Sequence, residues 1–386
     1  MKFSPEITAK PTKGFAEGVA ERRKAGKEIY SFGLGEPDFK TPDYVIEAMM
    51  EAIEKGKIHY SDAQGIIELR TCIAKSATNE YGVKYEPNEI AVTPGIKSAA
   101  YSSLAAILEP GDKVALCTPC YVAYPAMIKC AEPDAEIITI DLNKDYSFNM
   151  ERLEEVVTSG VKCLIVNSPN NPTGAMFTRE EVERIVDVCA EHGVYILSDE
   201  VYDKIVFHGE KHVSFAEYEK IKDHLIIANG FSKSHAMTGW RLGYAIAPAD
   251  ICRKIAMLQF NTNTNVATFI QWAGCSIFEH EWDHIAEYTK ILEERMAYFH
   301  EKINAIPKLS GILPKGGFFY CVNIEETGMT SNDFCAELVK QTGIATTPGI
   351  AFGKEWDGYV RFSLAVPLER IENGIALIEE FMKNNF

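Results

Sequence analysis

Short β-branched and apolar runs recur through the middle of the chain, separated by segments whose apolar positions repeat with helical period. The runs Ile90-Ala91-Val92, Val114-Ala115-Leu116, Ile137 to Ile140, Cys163 to Val166, Val194 to Leu197, Leu225 to Ala228 and Leu242 to Ala247 predict strands. Helices of roughly a dozen residues fit between many of them. The clearest runs from Arg179 to His192, where Thr178 and Glu181 have the spacing of a capping box. Strands alternating with helices predict an α/β fold: a large domain with a mostly parallel seven-stranded sheet between helices. Helical period also covers Tyr44 to Lys55, and a polar N-terminal stretch through Phe15, Val19 and Ala20 that stops at Gly26. Beyond Trp282, long helical segments flank Gly316 to Val322 and Val360 to Ser363, which read as strands. No repeat or low-complexity linker interrupts the pattern.

In such a sheet, ligands bind beyond the carboxyl ends of the strands, so the polar residues that follow each strand carry the functional information. After the first strand, Thr93-Pro94-Gly95-Ile96-Lys97-Ser98 opens a helix, where a flexible glycine and unpaired backbone N–H groups suit a phosphate as well as a plain helix start. Asn167-Ser168-Pro169-Asn170-Asn171-Pro172-Thr173-Gly174 makes a rigid turn with a fixed amide, its Asn-Pro bond a candidate for the cis form. Ser198-Asp199-Glu200-Val201-Tyr202 sets a carboxylate at the end of a buried strand, which requires a cation or a hydrogen-bond donor nearby. One strand later, the loop from Phe231 to Tyr244 carries Ser232, Lys233 and Arg241. A lone lysine is a nucleophile only if its pKa is depressed and a carbonyl is brought to it; otherwise it is surface charge.

Composition narrows the function classes. With 39 Lys and Arg against 55 Asp and Glu in 386 residues, the net charge of −16 argues against a nucleic-acid surface, and an anionic substrate needs local arginines. No signal peptide is visible at Met1 to Ala9 and no uninterrupted apolar stretch reaches membrane-spanning length, so neither a membrane role nor export is expected and cytoplasmic residence is the default. The ten cysteines are expected to be buried small hydrophobes in a reducing compartment.

A lysine amine, a buried carboxylate, a tyrosine hydroxyl, a rigid asparagine and a Ser/Arg/helix-terminus cradle form the inventory that pyridoxal 5'-phosphate requires. With Gly35-Glu36-Pro37-Asp38-Phe39, Tyr60, Gly65, Glu68-Leu69-Arg70, Asn167 to Gly174, Ser198 to Tyr202, Ser232 to Tyr244 and Val360-Arg361-Phe362-Ser363, the chain resembles the class I aminotransferases over almost its whole length. These are aspartate-aminotransferase-like, fold-type-I pyridoxal-phosphate enzymes. The Ser-Lys pair with an arginine eight residues after the lysine, behind Asp-Glu-x-Tyr and Asn-Asn-Pro-Thr-Gly, makes the resemblance specific.

The resemblance implies a role for each residue. Lys233 forms the Schiff base and then moves a proton between the substrate Cα and the cofactor. Asp199 keeps the pyridine nitrogen protonated, and Asn171 and Tyr202 donate to the ring oxygen. Gly95, Ile96, Lys97, Ser232 and Arg241 hold the phosphate, and Tyr121 stacks on the ring. Tyr60 reaches the phosphate of a neighbouring subunit, implying a homodimer with shared sites. Arg361 binds the substrate carboxylate, helped by Asn171 and the backbone of Gly35. Ile96-Lys97 replaces small residues found in many relatives and Cys120 replaces a frequent aromatic, which weakens the Lys97 assignment and opens the pocket rim. The implied division is an N-terminal arm and part of the small domain over 1–40, a large cofactor-binding domain over 41–285 and a small α+β C-terminal domain over 286–386.

The implied reaction is ping-pong transfer of an α-amino group between an L-amino acid and a 2-oxo acid, of aspartate- or other amino-acid:2-oxoglutarate type. The alternatives are a C–S β-lyase on the same scaffold and a non-catalytic binding or regulatory module. Three other features read as incidental. His280-Glu281-Trp282-Asp283-His284 matches a zinc pattern without a third ligand, so no metal is expected. Cys117-Thr118-Pro119-Cys120 has redox spacing without thioredoxin-like surroundings, and His235 beside the lysine reads as packed or solvated rather than as a proton shuttle.

Overall fold

A computed structural model describes residues 15–386. The part of the N-terminal arm before Phe15 lies outside the described residues. The central strands are β1 (Ile90–Thr93), β2 (Lys113–Thr118), β3 (Glu136–Asp141), β4 (Cys163–Asn167), β5 (Tyr195–Asp199), β6 (Leu225–Gly230) and β7 (Gly243–Ile246). They form one seven-stranded sheet in the order β1-β7-β6-β5-β4-β2-β3. β7 runs antiparallel to both of its neighbours, and the other pairings are parallel.

Helices cover both faces of this sheet, so its inner strands are continuous apolar runs rather than alternating ones. β1, β4 and β6 are buried at every position. The edge strand β3 keeps Glu136 exposed, which blunts the unpaired edge. The helix Arg179–His192 starts where its capping box predicts, Thr178 and Glu181 each accepting a backbone N–H. In register, Asn167 of β4 faces Asp199 of β5, which faces Ala228 of β6. Three consecutive carboxyl ends therefore open side by side into one crevice, and the loops that follow them must share it.

A second core surrounds β8 (Phe319–Asn323) and β9 (Tyr359–Ser363), an antiparallel pair that the short strand Thr347–Pro348 extends. Phe32, Phe299, Phe318, Phe362 and Phe381 fill it. Tyr30–Ser31 pairs in parallel with Ile344–Ala345, tying the segment before Gly33 to this unit.

Some expectations are corrected. β8 begins at Phe319 rather than Gly316, because Gly317 turns the chain at φ 72° and its N–H is taken by Ile205 O at 2.9 Å. Among the described residues the cis bonds are Thr118-Pro119 and Ser168-Pro169, not Asn171-Pro172. The reversal around Pro172 is closed instead by Gly174 N donating to Asn170 O and Asn170 N to Ala175 O, both at 2.8 Å. His280 is extended and precedes the helix Asp283–Ala305, so it shares no helical face with His284. Each ring packs against Tyr44. Cys130 is exposed and Cys72 half-buried, whereas the remaining cysteines are buried free thiols.

Candidate active site

The shared crevice is a cavity of about 620 Å³. Every residue expected at the site lines it except Gly95 and Tyr60.

Lys233 sits in the loop after β6, with Nζ donating to Gly35 O at 2.5 Å and lying 5.6 Å from the Phe318 ring centre. Burial disfavours its charged form and pushes the amine down to about 8, against the opposing pull of Glu36 and Asp199. That is the depression a nucleophilic lysine needs.

Asp199, at the end of β5, is 8% exposed. Burial pushes its carboxyl up to about 6 despite two donors, the Tyr124 hydroxyl on Oδ2 at 2.5 Å and Val201 N on Oδ1 at 3.2 Å. The two donors leave acceptor capacity on the carboxylate for a cationic partner from the cavity side. Tyr202 is buried among Phe318 and Phe319, in edge contact with both rings. Its phenol is pushed up by burial and next by Asp199.

Arg361 reaches the cavity from β9. Its Nη1 donates to Asn171 Oδ1 at 2.9 Å, and its Nη2 to Gly33 O at 2.6 Å and Thr347 Oγ1 at 3.1 Å. The guanidinium lies between the Phe319 and Phe352 rings, at 4.2 and 4.9 Å from their centres. Nε has no partner, and no carboxylate among the described residues pairs with this cation. Burial pushes it down to about 10. A buried guanidinium without an anion is costly, and it marks where an anionic ligand would be stabilised.

The helix Ile96–Ile107 begins at the cavity with no side-chain cap; Ser98 N turns back to Gly95 O at 3.0 Å, so the N–H groups left for a ligand are those of Ile96 and Lys97. Gly95 precedes it at φ 82°, and a Cβ there would sit 2.5 Å from Arg241 Nη2. Gly243 is equally tight, its added Cβ meeting Ile96 N at 2.5 Å. These glycines let Arg241, the helix terminus and the buried Ser232 crowd around one small volume. The donor set suits a phosphate dianion. Lys97 lines the cavity with its Nζ 5.4 Å from the Tyr121 ring centre.

Tyr60 is 87% exposed and lies outside its own chain's cavity wall. His235 is buried, with Nδ1 2.9 Å from Ser234 Oγ and its ring packed against Phe231, Trp282 and His284. Burial pushes its pKa down to about 3, which suits packing rather than proton transfer. Burial likewise raises the Cys117 and Cys120 thiols, the latter to about 12, the opposite of a redox-active pair. Sequence reasoning missed Tyr124, Thr347 and Glu36. A tyrosine three residues past Tyr121 was the one available signal for Tyr124, whereas Thr347 becomes visible only through its contact with Arg361.

The chain matches the family described as aminotransferase class I and II over residues 27–378. It is 33% identical to an aspartate aminotransferase of Geobacillus stearothermophilus over 98% of this chain and 97% of that one. It is 36% identical to aromatic-amino-acid aminotransferase 2 of Thermococcus litoralis over 92% of each chain. Among solved structures, the aspartate aminotransferase of Thermotoga maritima superposes with a TM-score of 0.90 at 30% identity, covering 99% of this chain and 100% of that one. With the same strand-end loops lining one cavity and a family match spanning both units of the fold, the chain belongs to the class I and II aminotransferases.

Proposed function

We propose that the chain uses pyridoxal 5'-phosphate to move an α-amino group between an L-amino acid and a 2-oxo acid in two half-reactions of a ping-pong cycle. One observation carries this reading: a half-buried lysine of depressed pKa and a buried arginine lacking an anion face the same cavity. The cofactor supplies an electron sink for the charge left on the substrate Cα when its proton departs. Asp199 would hold the proton at the ring nitrogen, and Tyr202 with Asn171 would donate to the ring oxygen. The helix terminus at Gly95, Ile96 and Lys97, with Ser232 and Arg241, would hold the phosphate, and Tyr121 would cover the ring. Arg361 would grip the substrate carboxylate with help from Asn171 and the Gly35 backbone, and Lys233 would move the proton between the substrate Cα and the cofactor. Lys233 and Asp199 belong to the large unit over 41–285, and Arg361 to the small one over 286–386, which closes with the arm over 1–40. Carboxylate capture therefore favours closure and excludes water from Lys233.

Glutamate and 2-oxoglutarate are the proposed common pair, with the second amino acid read out by experiment. Holoenzyme given a single amino acid and no acceptor should release one equivalent of 2-oxo acid and retain the amino group. Ammonia and pyruvate from a cysteine conjugate would instead identify a β-lyase and overturn the transfer reading.

The working unit is proposed to be a homodimer with shared sites. Apolar side chains are exposed on the helices Asp43–Glu54 (Ile46, Met50) and Ala249–Thr262 (Met257, Phe260, at 67% and 68%) and at Ile58, two residues before Tyr60. The Tyr60 loop is held from behind by Gln259 Nε2 on Ala63 O at 2.8 Å and Thr268 Oγ1 on His59 O at 2.6 Å, so it is presented outward. Sedimentation should give twice 43.1 kDa, and Phe260→Asp should shift the protein to monomer with loss of activity. A wild-type monomer at micromolar concentration would sink this proposal.

A further inference from the structure

Tyr124 stands behind the cavity rather than in its wall, yet it makes a short contact with the residue on which the chemistry depends. We propose that Tyr124 is a positioning residue for amino transfer, its hydroxyl fixing the Asp199 carboxylate in the orientation that meets the cofactor's ring nitrogen. The inference rests on the reading of Asp199 given above.

Tyr124 opens the helix Tyr124–Ala131, followed by Pro125, whose fixed φ suits the first helical turn. The side chain is 2% exposed, and its hydroxyl donates to Asp199 Oδ2 at 2.5 Å. Among the described residues, the one other donor to this carboxylate is the Val201 N–H, at 3.2 Å on Oδ1. One donor on each oxygen fixes the carboxylate plane, while the four or so lone-pair sites of the group leave acceptor capacity on the cavity side. The backbone donor is the longer of the two, so the tyrosine is the stronger restraint, and a hydrogen bond to a charged acceptor in a buried site is of the strong kind.

The same ring meets Tyr121 edge-on, with centres 5.6 Å apart. Tyr124 thus joins the aromatic on the cavity wall to the acid at the end of β5, two groups 78 positions apart in sequence (199 − 121). A residue present only to fill the core would need the ring and not the hydroxyl. The two roles therefore separate under Tyr124→Phe, which keeps the ring and its contact with Tyr121.

The test uses holoenzyme loaded with cofactor carrying ¹⁵N at the ring nitrogen. For Tyr124→Phe, the ¹⁵N resonance should move toward the unprotonated position, kcat should fall on the order of tenfold or more, and KM for the amino acid should stay within about twofold. The apoprotein should also bind the cofactor about tenfold more weakly in a fluorescence titration. An unchanged ¹⁵N shift with unchanged kcat would reduce Tyr124 to a packing residue and overturn the proposal. If Tyr124→Phe does not fold, 3-fluorotyrosine at position 124 retains the ring and offers a stronger donor; it must shift the same resonance, and a null result there is equally fatal. Asp199→Asn separates the two levels of inference. If it alters the ¹⁵N shift while Tyr124→Phe does not, positioning by Tyr124 fails alone. If neither variant has an effect, the role given to Asp199 fails with it.

Discussion

Replacing Lys233 with alanine is expected to reduce amino transfer by at least about 10⁴-fold, because in the proposed cycle one amine serves as both the group that bonds the cofactor aldehyde and the base at the substrate Cα. Its setting distinguishes it from a surface lysine. Burial holds its amine at about 8, and Gly35 O, 2.5 Å from Nζ, holds it at the cavity mouth. Exchange of the donor's Cα hydrogen with solvent deuterium, followed by NMR, reads the base directly and should vanish in the variant. Exchange surviving in Lys233→Ala at more than a few per cent of the wild-type rate would refute the assignment. The depressed pKa has a signed consequence in the apoprotein. The amine reacts only in its neutral form, so cofactor uptake should rise about tenfold between about pH 7 and about pH 9, as the neutral fraction climbs through the pKa. A flat profile would mean that the amine is already neutral at pH 7 or that it is not the reacting group.

Arg361→Ala should raise KM for the amino acid and lower kcat/KM by about 2–5 kcal/mol, roughly 30- to 4,000-fold, as expected when one partner of a buried charged pair is removed. Arg361→Lys should recover only part of this, because an ammonium keeps the charge but not the planar fork that matches a carboxylate. The size of the effect follows from the setting: the guanidinium is 7% exposed, enclosed by Phe319 and Phe352, and its existing acceptors, Asn171, Gly33 and Thr347, are all neutral. Those same bonds tie three segments together, so thermal unfolding of each variant must accompany the kinetics. A folded Arg361→Ala enzyme with kcat/KM within about threefold of wild type would exclude Arg361 as the carboxylate site.

Much of the architecture was legible because burial on both faces writes itself into a parallel strand as a continuous apolar run. The buried parallel strands of the central sheet were readable for that reason, and the capping box at Thr178 marked a helix start that the structure reproduces. Where local pattern failed, a local conformation had overridden it. Gly316 to Phe318 continues the apolar run of β8, but Gly317 adopts a left-handed φ and ends the strand pairing. The spacing of His280 and His284 suggested one helical face, yet the helix begins only at Asp283.

By itself, then, the sequence determined the sheet, the residue types at its strand ends and the family to which they belong, since these depend on period and on neighbours close along the chain. Tertiary structure alone decided what those residues became. Asn171 meets Arg361 across 190 positions and Lys233 meets Gly35 across 198. No local pattern encodes such contacts, because they follow from how strands far apart in sequence are ordered in the sheet. The depressed amine of Lys233 and the raised carboxyl of Asp199 likewise come from desolvation, to which the whole surrounding fold contributes. Tyr124 is the sharpest instance: ordinary at the start of a short helix, it becomes the closest donor to the buried acid only once β2 and β5 lie in one sheet.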